Sequence, residues 1–591
     1  MQIAAKHKSY IKRYGLILLA LIMSWFISMG SVRLLHSTMV EGGHAEILPI
    51  FLDIVVVFGL GFVAYELAKS TIIPSFVIAI FFGFVSQNLL SFIANDPLVL
   101  SVLTTIGAVL ILFGGGLDTP FTRFKSLVGP IISIAFIGTI ISAIGFSLAL
   151  AGLNSVLGIS MPIAAVILLG ISLASTDPAA IIPCLKSLIF SQPRIKHIAI
   201  SESALNDVIG ALITGVFLIL FLGDFNPSSI FEAYAYLLTL ENLLEILKVI
   251  VVGVLAGVLG FLILHIWSKW KEKIKSEGEA DAALFLAVPL FTFTTATALG
   301  GNGFLAVFVA GLLFQIKSHV NHVEHFFNHT IEGFMKPLIF MLLGTLVNFE
   351  SLQAFAVPGI IMGIICMFVL RPIAVFITLF PYMKFKHKFS FKELLFLSFV
   401  RETGVIPAVL LVSIKIAGIP GSDVALVIGM WVILLTLIVQ PPLTPLVAKI
   451  LGIAVECPLP VKEKNQGAVA VLCSRSYTFL DRIEHVVEWA EKHGVENIMV
   501  LHCAEEKYTE KFVKEVKKAA TVKFKTINAR LEGENKKAIN FKFVGRPGSL
   551  EENIRSIAPA DDVSVIFIGS KMLDYRLDVI KQLEVPFIFV K

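Results

Sequence analysis

HIAISESALNDVIGALITGVFLILFL, residues 197–222, reads as a membrane-spanning helix that nonetheless carries Glu202, Ser203, Asn206 and Asp207. Ionisable residues at such depth are costly and mark function by default. With a rise of ~1.5 Å per residue, Asp207 lies ~16 Å into the run, about halfway through a ~30 Å hydrocarbon core. Glu202 and Asn206 are four apart and share one stripe of the helix, while Ser203 and Asp207 share the neighbouring stripe. Two polar stripes side by side imply two separate tasks.

Outward from this helix the chain is apolar through most of its first 455 residues. Hydrophobic residues make up 56% of the 591 and charged ones 15%, which is the composition of a polytopic membrane protein rather than a large soluble enzyme. Fourteen apolar spans are expected, among them residues 162–184, 197–222, 354–379, 394–412 and 424–440. With the amino terminus inside, one set of loops carries most of the loop Lys and Arg, from Lys6 and Lys12 through Lys69, Arg123, Lys186 and Arg194 to Lys384, Lys386 and Lys388. The other set carries only Arg33 and Lys415. This asymmetry is expected to put both termini and the soluble tail in the cytoplasm, and the cell (inner) membrane is the expected location. The first span is expected to be retained rather than cleaved as a leader, because no clear small-residue cleavage site follows it. Residues 461–591 hold 22 of the 48 Lys+Arg and 19 of the 43 Asp+Glu, so a soluble domain follows. The expected organisation is a transmembrane domain over 1–455 and a cytoplasmic α/β domain over 465–591. The five cysteines, Cys184, Cys366, Cys457, Cys473 and Cys503, show neither metal-type spacing nor a disulfide framework.

Two spans are unsuited to run as continuous helices. Ser175-Thr176-Asp177-Pro178 interrupts residues 162–184, where Pro178 removes a backbone donor and crowds the preceding turn. Arg401-Glu402-Thr403-Gly404, followed by Pro407, interrupts residues 394–412. Interruptions seven spans apart, as expected of two seven-span halves of inverted topology or of six-helix repeats around a linker helix, point to a transporter binding site built at the breaks. Carbonyls released near Thr176, with the Ser203 hydroxyl and the Asp207 carboxylate, offer hard oxygen ligands to a small monovalent cation. Glu202 stays charged only with a partner. Arg371 and Arg401 are the candidates, and Arg371, well inside residues 354–379, is the preferred one.

These motifs resemble the signatures of monovalent cation/proton antiporters of the sodium/proton exchanger (NhaP-like) branch. The match rests on Thr176-Asp177-Pro178 and Glu202-Ser203-Ala204-Leu205-Asn206-Asp207. It is supported by Leu112-Phe113-Gly114-Gly115-Gly116-Leu117, the run from Phe304 to Gly311, Arg371, and Gln440-Pro441-Pro442-Leu443-Thr444-Pro445. The likeness covers about residues 45–455. It implies an all-α polytopic fold of 13–14 transmembrane helices with inverted repeats and two crossed discontinuous helices, organised as a core and a dimerisation domain and hence a homodimer. It implies exchange of Na+, K+ or Li+ for protons by alternating access, with Asp207 as the shared carrier. Ser203, Thr176 and Asn206 would complete the cation and proton site. Asp177 and Arg401 would offset the dipoles of the broken helices and Glu202 would pair with Arg371, while Glu402, outside the pattern, adds a carboxylate either to pair with Arg401 or to alter the site. Asn206-Asp207, in place of two aspartates, is the form that electroneutral members carry. The chain departs from the pattern at Gly114, where relatives commonly have an acidic residue, and at Val400-Arg401-Glu402, where Leu-Arg-Gly is usual.

In the tail, apolar runs at 468–473, 498–502, 542–544, 563–568 and 586–590 alternate with helical stretches near 479–493, 511–520 and 549–557, a parallel α/β pattern. The order resembles a universal stress protein domain. No glycine-rich loop follows Ile568-Gly569-Ser570, so a regulatory or dimerisation module is expected rather than a nucleotide site. No cofactor is implied beyond the transported cation and proton, and no nucleic acid partner. Gly253, Gly257 and Gly260 read as close helix packing, and His322, His325 and His329 as a solvated turn. An alternative on the same architecture is a sodium-coupled symporter, which needs an organic-substrate pocket; another is a transporter-like sensor acting through the tail. No nucleophile and base constellation suggests an enzyme.

Overall fold

The computed structural model describes residues 14–28, 47–68, 71, 73–119, 124–125, 127–176, 185, 188–190, 192, 194–223, 225–274, 281–314, 333, 335–384, 389–456, 469–474, 479–493, 495–504, 510–534, 536, 538–547, 563–569 and 587–590. The chain divides into two compact units, residues 1–185 with 190–455, and residues 186–189 with 456–591.

Each of the fourteen expected spans contains at least one apolar helix among the described residues of the first unit. The first half contains α1 (Tyr14–Ser28), α2 (Ile47–Ala68), α3 (Ser75–Val85), α4 (Pro97–Asp118), α5 (Val128–Leu157), α6 (Ile163–Ala174) and α7 (Arg194–Leu222). The second contains α8 (Leu240–Ile274), α9 (Asp281–Ala298), α10 (Gly303–Phe314), α11 (Lys336–Thr345) and α12 (Ala356–Leu379), then α13 (Phe391–Phe399) and α14 (Val405–Ile416), which divide one span between them, and α15 (Ser422–Ile450). Among the described residues, seven of these helices are long and apolar enough to cross a membrane, seven others have apolar stretches of 10–17 residues, and α13 has 9 residues. Local chemistry fixes several ends. Asp96 accepts from Leu98 N and Val99 N ahead of Pro97 to start α4, and Ser390 with Glu393 forms a capping box that starts α13.

The two halves repeat each other. Where α3 crosses α11, a Cβ on Gly83 would collide with the carbonyl oxygen of Met341, and one on Gly344 with that of Ile80. Where α10 crosses α4, the same holds for Gly311 against Phe113 and Gly116 against Phe308. Moving seven helices along the chain turns the first crossing into the second. The helices α5 and α12, also seven apart, each contain one π-helical turn, Ser133–Ile137 and Cys366–Leu370. The glycines of α8 pack closely as expected, since a Cβ at Gly253 would meet Asn302 O at 2.9 Å and one at Gly257 would meet Ala306 O. Asp53 of α2, buried, accepts from Ile93 N at 3.1 Å and caps the short helix Ser91–Asn95.

The second unit is a five-stranded parallel sheet. Its strands are β1 (Val469–Ser474), β2 (Asn497–Ala504), β3 (Asn540–Pro547), β4 (Val563–Gly569) and β5 (Phe587–Val590), in spatial order β3-β2-β1-β4-β5. Alternation puts Ala470, Leu472, Ile498, Val500, Val565 and Phe567 in one core with α16 (Phe479–His493) and α17 (Glu510–Gly533). The helix α17 outruns the expected 511–520, because Phe524, Ile527 and Leu531 extend its buried stripe and no glycine intervenes before Gly533. The helix expected at 549–557 and the histidines 322, 325 and 329 lie outside the described residues.

Candidate functional site

The site begins where α6 stops. After Ala174 the backbone becomes extended at Ser175 (φ −81°, ψ 155°), which leaves the last carbonyls of α6 without helical partners. Arg401, in the extended segment between α13 and α14, answers them. Its Nη2 donates to Leu173 O at 3.2 Å and to Ala174 O, and its guanidinium lies 5.6 Å from the centre of the Phe146 ring. The second break is braced by α15: Thr403 N donates to Thr436 Oγ1 at 3.2 Å, and Gln440 Nε2 donates to Phe399 O at 2.7 Å. The two breaks thus meet, and buried cation meets buried carbonyl.

The polar turn of α7 lies against the first break. Asp207, 3% exposed, accepts from Ser175 Oγ at 2.8 Å. Ser203 Oγ donates to Thr176 O at 3.0 Å and lies 2.9 Å from Thr176 Oγ1. Asn206 Oδ1 accepts from Thr176 N at 3.1 Å, while its Nδ2 donates to Thr176 Oγ1 at 2.7 Å and to Glu202 Oε1 at 3.0 Å. Glu202 takes both Nη1 and Nη2 of Arg371 at 2.8 Å in a fully buried bidentate pair, and Arg371 Nε reaches Leu397 O at 3.3 Å. The stripes therefore separate only in part: Glu202 pairs with Arg371, Ser203 and Asp207 bond to the break, and Asn206, on the Glu202 stripe, bonds both to Glu202 and to Thr176 at the break. Gly114 is buried on α4, and a Cβ on its neighbour Gly115 would lie 3.9 Å from Ala204 Cβ, so α4 passes beside the polar turn. Asp177 and Pro178 lie outside the described residues.

The sodium/hydrogen exchanger, transmembrane, family matches residues 54–450, about two thirds of the chain. The chain belongs to the sodium/hydrogen exchanger family. Among relatives of this exchanger chain, the K(+)/H(+) antiporter NhaP of Alkalimonas amylolytica is 25% identical over 393 residues, 65% of this chain and 64% of that protein. The Na(+)/H(+) antiporter 1 of Methanocaldococcus jannaschii is 27% identical over 375 residues, 62% of this chain and 83% of that protein. The match to the K(+)/H(+) antiporter NhaP2 of Shewanella sp. (strain MR-4) covers 55% of that protein, so this chain spans less than two thirds of several of the relatives it matches. Its fold matches that of the sodium proton antiporter MjNhaP1 from Methanocaldococcus jannaschii at pH 8, with TM-score 0.54, 21% identity, and 66% of this chain and 97% of that chain covered.

Three side chains that bond at the breaks were not singled out by sequence. The Ser175 hydroxyl stood inside the quoted Ser-Thr-Asp-Pro string without a role. Gln440 figured only as the start of a proline-rich closing motif, and Thr436 lies one helical turn before it. A polar residue four before Gln440 was the available signal.

Proposed function

We propose that this chain exchanges a monovalent cation, Na+ or K+, for protons across the membrane, with Asp207 as the group for which the two ions compete. The observation that carries the reading is the division of charge on α7: Glu202 is neutralised bidentately by Arg371, while Asp207 sits at the break of α6 among the oxygens of Ser175, Ser203 and Thr176. A single carboxylate holds either a proton or a cation, so one ion displaces the other. Rocking of a core between the two faces then moves either ion but not both, a one-for-one and electroneutral exchange. Relatives named for K(+)/H(+) and for Na(+)/H(+) antiport support both cations as candidates. The loop charges support a multi-pass protein of the cell membrane with a cytoplasmic tail at 465–591 that regulates or dimerises the transporter. The family likeness supports a homodimer.

The test is reconstitution of the full chain in proteoliposomes with a pH-sensitive dye. Asp207→Asn abolishes proton movement driven by either K+ or Na+ while the protein still inserts; exchange at the wild-type rate in that variant refutes the assignment.

A further inference from the structure

We propose that Phe146 is a positioning residue of the exchange site: its ring seats the Arg401 guanidinium on the end of α6, and that seat sets how well the first break binds the cation. The inference rests on the exchange reading above. Among the described residues, Arg401 and Phe146 are two of the largest fully buried side chains. The guanidinium carbon lies over the Phe146 ring, 5.6 Å from its centre, within the range of a cation–π contact. Nη2 donates to Leu173 O and Ala174 O, while among the described residues Nε and Nη1 take no hydrogen-bond acceptor. Hydrogen bonds therefore serve one corner of this cation, and the electron-rich ring face serves its plane.

A phenylalanine that only filled the core would need no fixed relation to the break, and Phe146 has one. At Gly170 of α6 a Cβ would meet Ser147 N at 2.8 Å and Ala143 O at 3.1 Å, so the α5 backbone around Phe146 is pressed against α6 about one turn before the two carbonyls. Ring and carbonyls thus belong to one tightly packed helix pair. Both present negative charge, the ring by its quadrupole and the carbonyls as the end of the helix dipole. The extended residues that follow carry the oxygens of the site: Ser175 Oγ donates to Asp207 at 2.8 Å, and Thr176 O accepts from Ser203 Oγ at 3.0 Å. A guanidinium that leaves its seat releases the α6 carbonyls, and with them the placement of Ser175 and Thr176. Only the seated form presents the full set of oxygens, so the apparent cation affinity falls with the seated fraction. Loss of a desolvated cation–π contact shifts such an equilibrium by a factor of roughly ten.

The full chain is produced as wild type, as Phe146→Leu, and with mono-, di- and trifluorinated phenylalanine at position 146. Each fluorine draws charge from the ring face with little change of shape. Glu402, the next residue after Arg401, is buried too, but it is the same in every form, so the series reads the ring alone. Reconstituted and assayed with KCl and NaCl separately, the fluorinated series raises the KM for the cation step by step, to about tenfold in the trifluorinated form and in Phe146→Leu, with the maximal rate within about threefold of wild type. A wild-type KM throughout the fluorinated series overturns the proposal, as does an equal loss of rate at all cation concentrations; either result leaves Phe146 as core packing. The fluorinated forms decide alone where Phe146→Leu does not fold. Thermal denaturation in detergent, which needs no flux, compares the series in wild type and in Arg401→Met. Fluorination lowers the melting temperature of wild type by about 2–4 °C more than that of Arg401→Met, and equal effects in the two backgrounds overturn the seat. Absence of wild-type exchange would instead bring down the exchange reading, leaving the melting series to judge Phe146.

Discussion

Removing Arg371 is the perturbation whose cost the geometry fixes best. Arg371→Met deletes two charge-assisted hydrogen bonds of 2.8 Å and leaves Glu202, 2% exposed, with the Asn206 amide at 3.0 Å as its remaining described donor. Breaking a buried pair from one side costs about 3–5 kcal/mol, because the surviving charge has already lost its hydration. Glu202→Leu strands the guanidinium instead and costs about as much. Replacing both residues removes both charges, so the double variant loses no more than about 2 kcal/mol and the double-mutant cycle shows a coupling of several kcal/mol. The assay is thermal denaturation of the detergent-purified full chain. Each single variant melts roughly 5–10 °C below wild type, and the double variant recovers most of that loss. Single variants that melt within a degree of wild type would refute the reasoning, and so would a double variant damaged by the sum of the two.

Two further predictions follow from smaller contacts. Ser175→Ala removes the hydroxyl that donates to Asp207 at 2.8 Å and leaves the α6 backbone unchanged; a lost hydrogen bond to a buried carboxylate, worth about 1.5 kcal/mol, raises the cation KM about tenfold, and an unchanged KM in vesicles counts against the Asp207 site. In the tail, burial of His502 beneath Phe543, with ring centres 6.1 Å apart, pushes its pKa below 6.5, so the unfolded chain takes up the proton first. Stability of the second unit is undiminished above pH 6.5 and falls as pH drops below it. Hydrogen exchange of residues 497–504 in the full chain, corrected for intrinsic rate, accelerates between pH 7.5 and 5.5, and His502→Phe removes that slope.

What the sequence disclosed follows from how each feature is encoded. A buried charge needs a partner, and the apolar spans offered Arg371 and Arg401, so depth alone separated the scaffold pair from the break. Pro178 and the polar strings at 175–178 and 401–404 announced the interruptions, because a helix core rejects both. The role of Ser175 was hidden, since a serine in an apolar helix ordinarily bonds its own backbone, as Ser172 does to Leu168 O at 2.8 Å. The π-helical turns left no trace because CMFVL and SIAFI are compositionally ordinary helix. The repeat showed in the sequence only as the two interruptions seven spans apart: Gly83 and Gly344 reproduce the crossing of Gly311 and Gly116 by backbone proximity, which demands small residues at four points and leaves the residues between them unconstrained.

Asn206 links the two stripes. Its Nδ2 hydrogens are committed to Thr176 Oγ1 and Glu202 Oε1, and its Oδ1 accepts from Thr176 N. A side chain so occupied holds the end of α6 at a fixed distance from the Glu202–Arg371 pair, and through it from Leu397 on α13. The first break is therefore tied to the segment that precedes the second, while Arg401 ties the second break back to the first. Both breaks are thus bonded to one α7 helix, so the proposed rocking of the core would carry the oxygens around Asp207 as one body. On the proposed exchange reading, competition between cation and proton at Asp207 is then decided by which ion arrives, not by a rearrangement of its ligands.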